Sequence, residues 1–111
     1  MPNALRLYAI TDIEHHAQSK PLDGTELLPF RDIAAVVSPA EYSSAPPDGE
    51  AIDEYRRIVD DLFGRAPVLP APVGTVFRTR ETLTRWLELH YVALSDALSF
   101  VSVRDRSFAA A

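Results

Sequence analysis

VLPAPVGTVF, residues 68–77, is the stretch on which the fold turns. Pro70 and Pro72 hold its first half extended, and residues 73–77 predict a strand with Gly74 inside it. A glycine weakens a strand unless a neighbouring backbone or side chain must come close. On either side the apolar period changes to that of a helix. Upstream, Ile52, Tyr55, Val59 and Leu62 make one helical stripe, with Asp48 placed to cap it and Gly64 to end it. Downstream, Thr79 is placed as an N-cap with Glu81 in the first turn. Leu83, Leu87, Leu94 and Leu98 then form a stripe widened by Trp86, His90 and Tyr91. This predicts one helix of about 20 residues, roughly 30 Å long.

The chain before this region reads as strands. Residues 4–10, ALRLYAI, are apolar on both sides, with Leu5, Leu7 and Ala9 on one face and Tyr8 and Ile10 on the other, which predicts a central strand. The runs 26–30 and 33–38, parted only by Arg31-Asp32, predict a tight hairpin, although the turn lacks the favoured glycine. Pro29 removes a ladder donor, so the first of these strands is expected at a sheet edge or with a bulge. Residues 38–49, rich in proline and serine, read as a loop with Tyr42 as its anchor. A last short strand is expected at 100–103 and a frayed tail at 107–111. The expectation is a single α+β domain over residues 1–111. It is a two-layer sandwich in which a mixed sheet of four to five strands carries two helices on one face. Its expected core is Leu7, Val37, Ile52, Val59, Leu62, Phe77, Leu83, Leu87 and Leu94.

Composition narrows the functional classes. With 111 residues, the length suits one domain with a real core. Sixteen acidic against eleven basic residues give a net charge of −5, which disfavours a nucleic-acid binder. The absence of cysteine removes disulfide frameworks, thiolate metal sites and redox pairs. No apolar run approaches a bilayer span and the N-terminus lacks the pattern of a signal peptide, so a cytoplasmic location without membrane contact is expected.

No catalytic set stands out, and no cofactor is expected. His15-His16 is the most tempting metal pair, but extended neighbours point to opposite sides and no third histidine follows at ligand spacing, so solvated loop histidines are expected. His90 reads as a residue at the boundary of its helix stripe. No serine sits in a glycine-framed elbow, and the glycines at 24, 49, 64 and 74 form no phosphate loop. Asp60, Asp61 and Glu54 read as a solvated helix face. The expected edge strand, with Leu27, Leu28 and Phe30, is the candidate surface for a partner.

Residues 68–77 resemble the V-L-P-x-R-F-G-T-V-F signature of the gas vesicle protein F/L family. The resemblance extends to LYAI at 7–10, to DIAAVVS at 32–38 and to the leucines of the downstream helix, in the same order. Pro72 and Val73 replace the family's arginine and phenylalanine, so no role of that arginine is transferred. Members of the family are longer, with a second, largely helical region, so the resemblance implies the N-terminal domain alone, as a truncated or stand-alone form. It implies a non-enzymatic accessory role: binding the gas vesicle shell protein and other accessory proteins during vesicle assembly. An edge strand of the kind expected at 26–30 offers a physical route, by adding a client strand to the sheet. The alternative from another class is a small ligand-sensing or regulatory domain in which the loop 38–49 closes over a pocket; a hydrolase with a dispersed triad is a third.

Overall fold

The computed structural model describes residues 4–13, 24–42, 46–64 and 67–110, with side chains described as far as Val101. The elements follow in the order β1 (Ala4–Asp12), β2 (Glu26–Phe30), β3 (Ile33–Ala40), α1 (Gly49–Phe63), β4 (Val68–Pro70), β5 (Val76–Phe77), α2 (Arg80–Leu89) and α3 (Tyr91–Ala110). The fold is α+β with five strands, as the sequence predicts. Every pairing is antiparallel, so the sheet is not mixed. Its order is β2-β3-β1-β4, with β5 pairing further along the same side of β1. β1 is thus central and almost wholly buried, which explains why it is apolar on both sides.

The sheet is covered on both faces, and this corrects the expected two-layer sandwich. Leu5, Leu7, Ile10, Leu28, Ile33, Ala35 and Val37 pack with Leu83, Leu87 and Leu98 of α2 and α3. Tyr8, Ala9, Val36 and Val68 pack instead with Ile58, Val59 and Leu62 of α1. A short, antiparallel sheet apolar on both sides needs two covers, and the chain supplies one before β4 and one after β5. The strict alternation expected for β1 fails at one point. The register slips between Leu7, opposite Val37, and Ala9, opposite Val36, so Tyr8 is an inserted residue. This bulge sends both Tyr8 and Ala9 toward α1 and returns Ile10 to the α2 side.

Of the expected core, Leu7, Val37, Val59, Leu62, Leu83 and Leu87 are buried, whereas Ile52, Phe77 and Leu94 are only partly so. Ile58 is buried as well, because α1 faces the sheet one residue to the side of the expected stripe.

Local signals shape the connections. Asp48 Oδ1 accepts the Ala51 N–H at 2.8 Å and Thr79 Oγ1 accepts the Thr82 N–H at 3.0 Å, so both predicted N-caps are made. Gly74 is not inside a strand. Its φ of +87° and the bond from Thr75 N–H to the Pro72 carbonyl place it in a turn between β4 and β5. The expected single long helix breaks at His90, whose φ of −106° leaves the helical region. Residues 100–103, expected as a strand, continue α3, and the backbone of the expected frayed tail is helical to Ala110. Tyr42 does find an anchor, with the Arg78 guanidinium 4.3 Å from its ring centre.

Candidate partner-binding edge

β2 closes one side of the sheet, and the hairpin that holds it there is the one the sequence predicts. Phe30 pairs with Ile33 across Arg31-Asp32, and the register continues without a slip to Glu26 opposite Val37. The turn needs a positive φ that glycine normally supplies; here Arg31 adopts it, at 54°. Arg31 is held in place by its guanidinium, which lies 4.8 Å from the Tyr91 ring centre and 5.7 Å from that of Phe30. Tyr91 also donates its hydroxyl to Asp32 Oδ1 and meets the Phe30 ring edge-on, with centroids 5.9 Å apart. The tip of the hairpin is thereby fastened to the start of α3. The hydrogen bond to the Asp32 carboxylate, with some desolvation, raises the Tyr91 phenol above its ordinary pKa.

The register decides what the edge offers. In a two-residue hairpin the residues flanking the turn exchange hydrogen bonds, and bonded and non-bonded pairs then alternate. Phe30, Leu28 and Glu26 therefore spend their backbone groups on β3, while Leu27 and Pro29 turn theirs outward. Pro29 has no N–H to give. Leu27 is then the residue of β2 that presents both a donor and an acceptor. Its side chain packs, half-buried, beside the cluster under α1.

The three candidate side chains divide between the two faces. Leu28 is buried in the core under α2, Phe30 is half-buried against Tyr91, and Leu27 lies on the opposite face. A partner at this edge meets backbone first and leucine second. The other side of the sheet is less hospitable. β4 and β5 are short, separate pieces joined by the turn at Gly74, and Pro67, Pro70 and Pro72 remove three donors along it.

Above β2 runs the flank of α2. Arg80 Nη2 meets Glu26 Oε1 at 2.8 Å, whereas Trp86 leans the other way onto Phe77, with ring centroids 5.7 Å apart. Thr84 and Glu88, four and eight residues on from Arg80, continue the same flank of the helix. A shallow hollow of about 460 Å³ lies along Arg80, Glu81, Thr84, Arg85 and Glu88.

A second apolar surface lies away from the edge that the sequence singles out. Leu89, Val92 and Phe100 are 78%, 71% and 62% exposed at the end of α2 and along α3. The signal was present, since residues 89–101 are apolar on more than one side, but a stripe through Leu94 and Leu98 accounts for only one of them. His90 is exposed between the two helices, its ring 5.1 Å from that of Trp86. His15 and His16 lie outside the described residues. Among the described residues, no three His, Cys, Asp or Glu side chains stand close enough to hold a metal ion, and no helix is long and apolar enough to cross a membrane.

Comparison with known proteins gives a consistent assignment. The chain shares its fold with the crystal structure of the gas vesicle protein GvpF from Anabaena sp. PCC7120, at a TM-score of 0.67 and 18% identity. That match covers 87% of this chain and 43% of the GvpF chain, so the domain spans less than half of that protein's length. No curated protein matches in sequence. The sequence model of the family described as "Gas vesicle synthesis protein GvpL/GvpF" matches residues 4–105, nearly the whole chain, and the protein therefore belongs to the GvpL/GvpF family.

Proposed function

We propose that the domain serves as an accessory gas vesicle protein, without catalysing a reaction. It binds the shell protein, and other accessory proteins, along the outer edge of β2 and assists vesicle assembly in the cytoplasm. Family membership supports the gas vesicle context. The observation that carries the binding mode is the outward-facing backbone of Leu27 on the sheet edge left unpaired among the described residues. An apolar client segment held there as an added strand is shielded from pairing with its own copies. The contact is small, so it releases its client readily. Because it rests on backbone and leucine rather than charge, it persists in added salt.

A pull-down with freshly made shell protein tests this reading. The parent domain retains shell protein, and Leu27→Pro, which removes the outward N–H and leaves the bonds to β3 intact, does not. Leu28 is left unchanged, since a substitution in the core reports folding rather than binding. Failure of the parent to retain any vesicle protein would contradict the function, and full retention by a well-folded Leu27→Pro would contradict the edge.

A further inference from the structure

We infer that the β2 edge and the overlying flank of α2 form a self-complementary surface through which two copies of this chain pair about a two-fold axis. The inference does not depend on the shell protein as a client of the same edge. It rests on two patterns whose centres lie close together.

The first pattern is the backbone. An antiparallel pairing of β2 with β2 of a second copy, centred on Leu27, sets each Leu27 opposite the other. Each then gives its N–H to the other's carbonyl, and the two half-buried leucine side chains meet on the same face. Pro29 falls two residues from the axis, at the end of the shared ladder, where its missing N–H interrupts nothing central. A pairing centred on Pro29 would lack its donors altogether, so the proline fixes the register.

The second pattern is charge. Arg80, Thr84 and Glu88 read positive, neutral, negative along one flank of α2. Reversed, this sequence is complementary to itself: Arg80 of each copy faces Glu88 of the other, and the threonines face across the axis. The two centres fall within about one strand residue of each other. Arg80 reaches Glu26 at the start of β2, and Tyr91 reaches Asp32 just past its end, so α2 runs alongside β2 in the same direction. One helical turn beyond Arg80 is roughly 6 Å, less than two strand residues beyond Glu26, which sets Thr84 over the Leu27–Leu28 region. Arg80 holds Glu26 within its own copy through one N–H, and its guanidinium, with five donors in all, keeps others for Glu88 of the second copy. The hollow beside α2 is the space in which the two helix flanks interlock.

Such a pairing joins the two sheets into one and buries a small area, so it is weak and concentration-dependent. It also occludes Leu27, and a client strand at that edge competes with it.

The test is the solution mass of the domain by sedimentation equilibrium, from micromolar to millimolar protein at low salt. The parent mass rises with concentration from 12.3 kDa toward twice that value. Glu88→Arg, on an exposed helix position, sets arginine against Arg80 of the second copy. It weakens association about tenfold, two exposed ion pairs being exchanged for repulsions of similar size. Leu27→Pro abolishes association while circular dichroism remains that of the parent. A parent mass that stays at 12.3 kDa throughout, or unchanged self-association in Glu88→Arg, overturns the inference.

Discussion

Arg80 and Glu26, with Nη2 and Oε1 2.8 Å apart, tie the first turn of α2 to the first residue of the edge strand. Both side chains are about half exposed, so the pair positions more than it stabilises. A double-mutant cycle with Arg80→Ala and Glu26→Ala, read by urea unfolding, should give a coupling of about 0.2–1 kcal/mol. It should shrink as salt is added, because exposed charges are screened.

Leu87 lies fully buried between α2 and the sheet, among Leu7, Val37 and Leu83. Leu87→Ala should destabilise by about 2–5 kcal/mol in chemical denaturation, from lost burial and the cavity left behind. Leu89→Ala, two residues on, on the opposite side of the helix and 78% exposed, should change stability by less than about 0.5 kcal/mol. Equal effects at the two positions would contradict the phase of α2.

Gly74 has a reason to be glycine that differs from the one its sequence setting suggests. Its φ of +87° is strained for any side chain, and a Cβ there would stand 3.3 Å from the Pro47 ring. Gly74→Ala should lower stability by about 1–2 kcal/mol, and Gly74→Val by more, since branching worsens both terms. A thermal melt of Gly74→Ala at or above that of the parent would show that the turn does not require glycine.

Tyr91 links stability to alkaline pH. Its folded pKa is raised, first by the hydrogen bond to Asp32, then by desolvation and by the Asp32 charge. A phenol raised in this way favours its neutral form in the folded state. Its contribution is therefore complete below the ordinary value of 10.0 and is lost as pH rises through the higher folded value. The stability difference between parent and Tyr91→Phe should be flat through neutral pH and should narrow only above about pH 10. Narrowing between pH 6 and 8 would mean that another group governs the latch.

Much of this fold is legible in the sequence, and what is not has identifiable physical causes. The hairpin, its proline-marked edge and both N-caps rest on local chemistry, so residues such as Pro29, Asp48 and Thr79 announce them. The bulge at Tyr8 does not announce itself. An inserted residue leaves the apolar composition of β1 unchanged while reversing the faces of Ala9 and Ile10. With that reversal hidden, Tyr8 and Ile58 give no hint that α1 covers the opposite face from α2.

The split of the downstream helix at His90 is equally silent, because the leucine stripe runs on through the break. Residues 100–103 show the opposite limit: a short apolar run reads as strand or helix alike, and here α3 simply continues. At the candidate edge, the strand and its half-exposed leucine are readable. The outward direction of the Leu27 backbone is not, since it follows from the register set at Phe30 and Ile33.

A vesicle partner that adds its strand to β2 does so at Leu27. Amide hydrogen exchange, resolved by residue, measures this with and without saturating shell protein. The Leu27 amide, which points away from β3, should exchange rapidly in the free domain at micromolar concentration, where it is monomeric, and become protected on binding. The Leu28 amide, already bonded to β3, should change little. Protection confined to α3 around Val92 and Phe100, with Leu27 still exchanging rapidly, would contradict it.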